Sequence, residues 1–518
     1  MLLIEFIPLL LFIWLPIAIY YWGLHRSLYW KRRKIPSIES KPLVGSISGL
    51  LTFKMCVAEQ FNDFYFDEKT RHKPFIGIHM FHKPAIILRD TELIKRILVK
   101  DFTAFSNRYC SADEHNDILG NTNLFFLNSP GWNDLRTRLT PLFSSGKIKH
   151  MFHLMKSIGD QLSDIMGSMD INGKTRSFCV DVKELCTRYT VDVIASCAYG
   201  LEANSLKYPN GDFVTYGKKI FEFQIFRAVE FFAVFFFPEI VRLFRFKVFS
   251  KETSEFLRGS INFVLNEREK SGNKRQDLID TLLTLKNEDK NKAQTDTSRY
   301  VFQDDVLVAQ AAAFFTGGYE TSSSTMSFAL YELCWKPDIQ KRLRAEIKEV
   351  LTKSSGNLGY EDIQNMNYLN MVVQEILRMY PSLPFLDRVC NATNGYSLEP
   401  FQDFVIPKGM QVIIPIYAIH RDSKHFPHPN EFDPERFSAQ NKNNIKPYTM
   451  MPFGTGPRSC IGERFGLMQT KIGLINFFKH HSVQPSAFTP KVMELEKKAL
   501  VLQAKGGVML NVVRDPLA

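Results

Sequence analysis

The chain is poor in cysteine: 8 of 518 residues, at positions 56, 110, 179, 186, 197, 334, 390 and 460. None forms a C-x-x-C pair or a zinc spacing, which argues against a zinc module or a dithiol redox motif. No Pro/Gly/Ser-rich linker, internal repeat or low-complexity tract follows residue 50, so one large, well-cored unit is expected rather than a string of modules. No dinucleotide fingerprint and no flavin domain occur. The body also lacks an RNA-binding signature and a basic run. The formal charge of +11 therefore points to anionic membranes or acidic proteins, not to nucleic acid.

Charge is missing from one further place. From Phe6 to Leu24 there is no ionisable side chain except the two tyrosines. At about 1.5 Å per residue that run is long enough to cross a bilayer core. Tyr20, Tyr21 and Trp22 fall where an interfacial aromatic belt would form, and Lys31, Arg32, Arg33 and Lys34 follow. A cleaved secretory signal would carry its positive charges before the apolar run. An uncleaved anchor is expected over 1–24, with the rest of the chain facing the cytosol. Residues 25–45, basic and containing Pro36 and Pro42, read as a stiff linker to a body at 46–518. A cytosolic body implies reduced thiols.

What is present is mostly amphipathic helix, with a few short late β runs such as "QVIIPIYAI" and "VMLNVV". The longest helical stretch, "VFQDDVLVAQAAAFFTGGYETSSSTMSFALYELCW", is apolar on every face and belongs at the centre of a large fold. The segment Phe221 to Phe249 is crowded with Phe yet holds Arg227, Glu230, Pro238 and Glu239. It reads either as two core helices joined at Pro238 or as a surface dipping into a bilayer, with basic side chains snorkelling. The fold class is mainly α with a minor β part.

Chemistry concentrates in "FGTGPRSCIG", Phe453 to Gly462. Five fixed positions of F-x-x-G-x-R-x-C-x-G match by chance in roughly one chain in ten thousand of this length. A thiolate held in a glycine-permitted turn suits an electron-rich iron, and Arg458 beside it suits an anionic group. Trp132 and Arg136 stand one helical turn apart in "WNDLR". Two adjacent glycines in "GGYETS" should each cost a helix about 1 kcal/mol, which demands a reason such as close approach of a flat group. Glu375 and Arg378 lie at i, i+3 in "EILR", and Arg436 follows in "EFDPERF".

In this order the motifs resemble the cytochrome P450 family over nearly the whole chain. The wording of "GGYETSSSTMSFALYEL", "MYPSLPFLDRVC" and "FGTGPRSCIGERFG" is most similar to insect microsomal members of the xenobiotic-metabolising clan, within its sixth family. The resemblance implies the P450 fold in a single catalytic domain and one haem b with Cys460 as the iron ligand. It implies Trp132, Arg136, Gly317, Arg388, Phe453 and Arg458 as haem contacts, with Thr321 and Glu320 relaying protons. Glu375, Arg378 and Arg436 would form a structural cluster under the cysteine loop. Substrate would meet Phe105, Phe126, Ala313, Phe314, Leu383, Phe385, Leu500 and Val501, with Gln310 on the same helix face. Gly317 replaces a more usual alanine, which makes the pocket floor roomier.

The implied activity is a monooxygenase that inserts one atom of O2 into lipophilic substrates, drawing NADPH electrons from cytochrome P450 reductase, with cytochrome b5 an optional donor. The expected location is the endoplasmic reticulum membrane, single-pass. Arg138, Lys147 and Lys149 are candidate contacts for the acidic reductase. Detoxification of plant toxins or insecticides is one reading. Oxidation of one endogenous lipid, hormone or pheromone is another. A reductase-independent haem-thiolate isomerase or ligand binder is a third, disfavoured by the intact Glu320–Thr321 pair.

Overall fold

The computed structural model describes residues 2–169, 177–221, 224–275, 277–292 and 304–517, with side chains except at 2–13, 290–292 and 304. The elements that build the site are, in chain order, α1 (Leu2–Ser27), β1 (Phe75–Met80), β2 (Lys83–Leu88), α2 (Gly131–Leu139), α3 (Ser145–Ser168), β3 (Ser177–Asp181) and α4 (Val182–Ile194). They continue with α5 (Ile225–Phe236), α6 (Pro238–Phe244), α7 (Asp304–Trp335), α8 (Asn367–Met379), β4 (Leu386–Val389) and β5 (Gln411–Ile414). Last come α9 (Glu463–Phe478), β6 (His481–Pro485) and β7 (Met509–Arg514).

Helix α7, 32 residues long, runs through the middle of the core, as its all-round apolar character predicts. Its hydroxyls do not contradict that burial. Thr316 Oγ1 donates to Ala312 O at 2.7 Å, Ser323 Oγ to Glu320 O at 3.1 Å, and Ser327 Oγ to Ser324 O at 2.9 Å. Each satisfies itself on its own helix, so none needs water. Helix α4 packs along α7, and Thr190 Oγ1 and Tyr199 OH bond the carbonyls of Tyr319 and Ala311.

The β part is small. One sheet has the order β1-β2-β5-β4, in which only β2 and β5 run parallel. The second has the order β3-β7-β6, antiparallel throughout. The register of the first sets Asp387 opposite Ile413 and Arg388 opposite Val412, which delivers both charged residues to the core.

Residues 25–45 do not form a free tether. Trp30 is fully buried; its Nε1 donates to Ile78 O at 2.8 Å and its ring lies over Gly77, where no side chain would fit. The base of α1 is docked as well, with Trp22 against His82 and Arg26 Nε donating to His82 O. The uncharged run from Phe6 falls partly outside the residues with described side chains; among the described residues no helix is long and apolar enough to cross a membrane.

The Phe-rich segment forms two helices joined at Pro238, and it is two-faced. Phe235 and Phe236 point into the core, while Ile225, Phe226, Val229, Ile240, Leu243 and Phe244 are exposed. Arg227 does not reach out to snorkel. It is buried, paired with Glu230, and its Nη2 donates to Val248 O at 2.7 Å.

Candidate active site

A cavity of about 370 Å³ lies between α7 and the loop that carries Cys460. That loop is a tight backbone cradle. Gly454 and Gly456 take φ of +72° and +76°, and a Cβ on Gly456 would collide with the carbonyl of Leu98. Within the cradle Cys460 N donates to Phe453 O at 2.8 Å and Ser459 N to Gly456 O at 3.0 Å. Burial pushes the Cys460 thiol up, opposed by the Gly462 N–H and by Arg136. Metal coordination removes that proton outright.

The loop is held from below by a chain of buried groups. Arg378 Nε and Nη2 donate to the two Glu375 oxygens at 2.7 and 2.8 Å, and Arg436 Nε reaches Glu375 Oε1 at 3.3 Å. Arg378 Nη1 then donates to His420 O at 2.8 Å. The buried His420 ring contacts Arg378 O through Nδ1 and accepts from Met451 N through Nε2. Because Nε2 must accept, the proton sits on Nδ1.

Opposite the cradle, Gly317 and Gly318 serve different ends. A Cβ on Gly318 would overlap the Ile194 side chain, so Gly318 is required by the α4–α7 crossing. A Cβ on Gly317 would meet nothing within 4 Å, because that face opens on the cavity. Thr321 Oγ1 donates to Gly317 O at 2.7 Å, and Gln469 Nε2 on α9 donates to Gly318 O at 2.6 Å.

Three arginines, Arg108, Arg136 and Arg458, line one end of the cavity, and Arg388 stands one layer behind them. Arg458 is 6% exposed, stacks on Trp132 with its guanidinium 4.2 Å from the ring centroid, and donates to Ser106 O and Leu127 O. Arg388 is buried beside it, with the Asp387 carbonyl at 2.7 Å its only acceptor among the described residues. Arg108 lies over Phe125 and donates to Asp387 Oδ1 at 3.0 Å. Asp387 is the one buried carboxylate among these three. Burial, then mutual repulsion with Arg108, brings Arg388 down to about 9 and Arg458 to about 8. Among the described residues, Nε of both Arg108 and Arg388 has no partner. Arg136 on α2, lowered by burial, faces the cavity with no carboxylate partner among the described residues. Such a surplus of buried positive charge calls for an anionic ligand.

A profile described as "Cytochrome P450" matches residues 36–511. The chain belongs to the cytochrome P450 family.

Similar proteins include the probable cytochrome P450 6g2 of Drosophila melanogaster, 48% identical over 492 residues, covering 94% of this chain and 95% of that one. The probable cytochrome P450 6w1 of the same species is 41% identical, covering 96% of both chains. Cytochrome P450 6k1 of Blattella germanica is also 41% identical, covering 96% of this chain and 95% of its own. These are members of the sixth P450 family from insects. The chain is accordingly a P450 monooxygenase, and the family implies a haem-thiolate cofactor.

The residues of this cytochrome P450 fit that group. One sulfur faces the cavity from a rigid cradle, and four arginines with a single carboxylate between them suit two propionates. Of the residues expected at the site, Trp132, Arg136, Gly317, Thr321, Phe453, Arg458 and Cys460 line the cavity, as do Phe126, Ala313, Phe314, Leu383, Leu500 and Val501. Arg388 stands one layer behind its wall. Glu320 points to α4, where Lys183 Nζ lies 2.9 Å from its Oε1. Phe105 is buried against Tyr396, and Phe385 backs the roof by packing on Phe61 and Phe236. Gln310 is turned away from the cavity, into the loop above it.

Two participants escaped the sequence reading: Arg108 and Asp387. Both lie in segments whose neighbours drew attention, but it is the loop bridging to β4 through Asn107 and Val389 that brings them together. Of the basic residues expected on the surface, Arg138 is buried against Asp289, Lys147 reaches the cavity wall, and Lys149 pairs with Glu361 in solvent.

Proposed function

We propose that this protein binds one haem b through Cys460 and oxidises lipophilic substrates with O2, using NADPH electrons passed from cytochrome P450 reductase, with cytochrome b5 an optional donor. The observation that carries the reading is Cys460 on a cavity lined by Arg108, Arg136 and Arg458, with Arg388 one layer behind and Asp387 the carboxylate paired to Arg108. When bound, a thiolate-ligated haem supplies reductive activation of dioxygen. Arg108, Arg136 and Arg458, backed by Arg388, would hold its carboxylates, and Trp132 stacks on Arg458 to keep that guanidinium in place.

Ala313, Phe314, Leu383, Leu500 and Val501 exclude water and orient an apolar molecule. Thr321 holds a hydroxyl proton at the cavity wall, donated to Gly317 O in the resting protein. Glu320 contributes from behind the helix, and a relay through it requires its carboxylate to leave Lys183 and turn toward Thr321.

The location we propose is the endoplasmic reticulum membrane, with 1–24 as anchor and the body from 46 onward facing the cytosol. Support comes from the uncharged run Phe6–Leu24, from exposed Trp14, Tyr20, Tyr21 and Trp22, and from a shared face. The β1–β2 turn touches both ends of that face: His82 meets Trp22 of α1, and Phe81 meets Phe237 between α5 and α6, 4.4 Å between centroids. The apolar side chains of α5 and α6 would rest on the same bilayer.

Detoxification of xenobiotics is the substrate reading we favour, on the sixth-family relatives and the apolar cavity. Oxidation of a single endogenous lipid is the alternative, which turnover across a panel of lipophilic compounds separates. For the chemistry itself, reduced protein under carbon monoxide should show the thiolate-type Soret band. Cys460→Ala should abolish it, and its retention would overturn the ligand assignment.

A further inference from the structure

The loop above the cavity, residues 117–126, has little regular structure beyond one short helical turn, yet four of its residues line the roof: Asn123, Leu124, Phe125 and Phe126. It is held by polar side chains buried nearly completely. Gln310 of α7, 0% exposed, accepts from Leu124 N through Oε1 at 2.9 Å. Its Nε2 donates to Thr122 O at 2.9 Å and to Val306 O at 3.1 Å. Between those two anchor points Asn123, 2% exposed, folds the loop on itself. Its Nδ2 donates to Leu119 O and Gly120 O, both at 2.8 Å, and its Oδ1 accepts from Phe125 N at 3.0 Å. At the loop's start Asp117 caps Gly120 N at 3.0 Å and also accepts Val248 N at 2.6 Å, tying in a second roof segment.

A side chain at Gln310 facing substrate would leave part of its amide free for a ligand. Here both ends of the amide are committed to loop backbone or to its own helix. An amide accepts from one backbone group and donates to the next at this reach. A carboxylate could not donate to Thr122 O, and an apolar side chain of the same length could do neither. Buried backbone groups left without partners cost enough to move the loop that carries them.

We propose that Gln310 is a positioning residue for substrate selection: it latches the 122–124 backbone to α7 and so fixes the height of the aromatic roof over the cavity. This rests on the haem-thiolate reading and deepens it. With the latch closed, the roof excludes molecules by bulk, so the preferred ligands are compact apolar ones. With the latch open, Leu124, Phe125 and Phe126 lift together and the exclusion relaxes.

The test uses the holoprotein and two iron-binding azoles of different size, imidazole and 4-phenylimidazole, titrated by their ferric difference spectra. In Gln310→Met, which keeps the volume and removes the hydrogen bonds, the affinity for 4-phenylimidazole relative to imidazole should rise about tenfold, with imidazole itself unchanged. An unchanged ratio in protein that retains its thiolate-type carbon monoxide band overturns the latch and leaves the haem reading standing. Loss of that band already in the unsubstituted protein overturns the haem reading instead. Hydrogen exchange in the unsubstituted protein decides the matter even if the variant does not fold. The Leu124 amide should exchange as slowly as those of α7, and exchange at the rate of exposed loop amides overturns the proposal.

Discussion

The amide of Met451 donates to Nε2 of His420 at 2.9 Å, and the other nitrogen of that ring lies 3.1 Å from the carbonyl of Arg378. One neutral imidazole thus joins the Glu375–Arg378 cluster to the segment entering the cysteine loop, whose next turn closes through Gly454 N to Met451 O at 3.0 Å. His420→Phe keeps much of the bulk and strands a buried amide. We expect a stability loss of about 1–3 kcal/mol and a larger share of reduced carbon monoxide complex lacking the thiolate band. Urea titration and the difference spectrum measure the two.

The same ring sets a pH dependence. Burial, aided by Arg378, brings His420 from the ordinary 6.5 down to about 3. The unfolded chain takes up a proton near 6.5 while the folded one does not. Stability from the neutral ring is therefore complete above 6.5 and falls away as the pH drops from 6.5 toward 3. The gap between the unsubstituted protein and His420→Phe should narrow over that range in urea midpoints taken from pH 7 to pH 4.

The two glycines of α7 should part company on substitution. Gly318→Ala forces a methyl into Ile194 and should cost about 1–3 kcal/mol. Gly317→Ala meets nothing and should stabilise the helix by up to about 1 kcal/mol. It should also weaken binding of bulky azoles, since its methyl enters the cavity. Thermal unfolding and spectral titration read these separately.

Arg108→Leu removes one arginine at the cavity and leaves Asp387 without its ion-pair partner. We expect faster haem transfer to apomyoglobin, by an order of magnitude. Arg138→Leu, whose guanidinium is buried against Asp289, should lower stability without that acceleration.

How far the sequence reaches is clear from particular residues. The position of α7, the cysteine cradle and the Glu375–Arg378–Arg436 cluster were all legible, because each depends on local spacing or on a contiguous motif. Arg108 and Asp387 were not, since their meeting depends on a loop with no periodicity that bridges to β4 through Asn107 and Val389. Gln310 was placed on the correct helix but given the wrong neighbour: helical spacing fixes a face, not what folds down over it. The family resemblance offers Phe105 and Phe385 as substrate contacts, whereas in this chain they support the layers behind the cavity.

Gln469 has a consequence for how this protein can change. It sits on the helix that leaves the cysteine loop, and its Nε2 also lies 2.5 Å from Ser322 Oγ while it grips Gly318 O. The two jaws of the slot, cysteine side and α7 side, are therefore riveted together at one gauge. A lineage seeking new substrates cannot open that slot without breaking the rivet, and has to work on the lid.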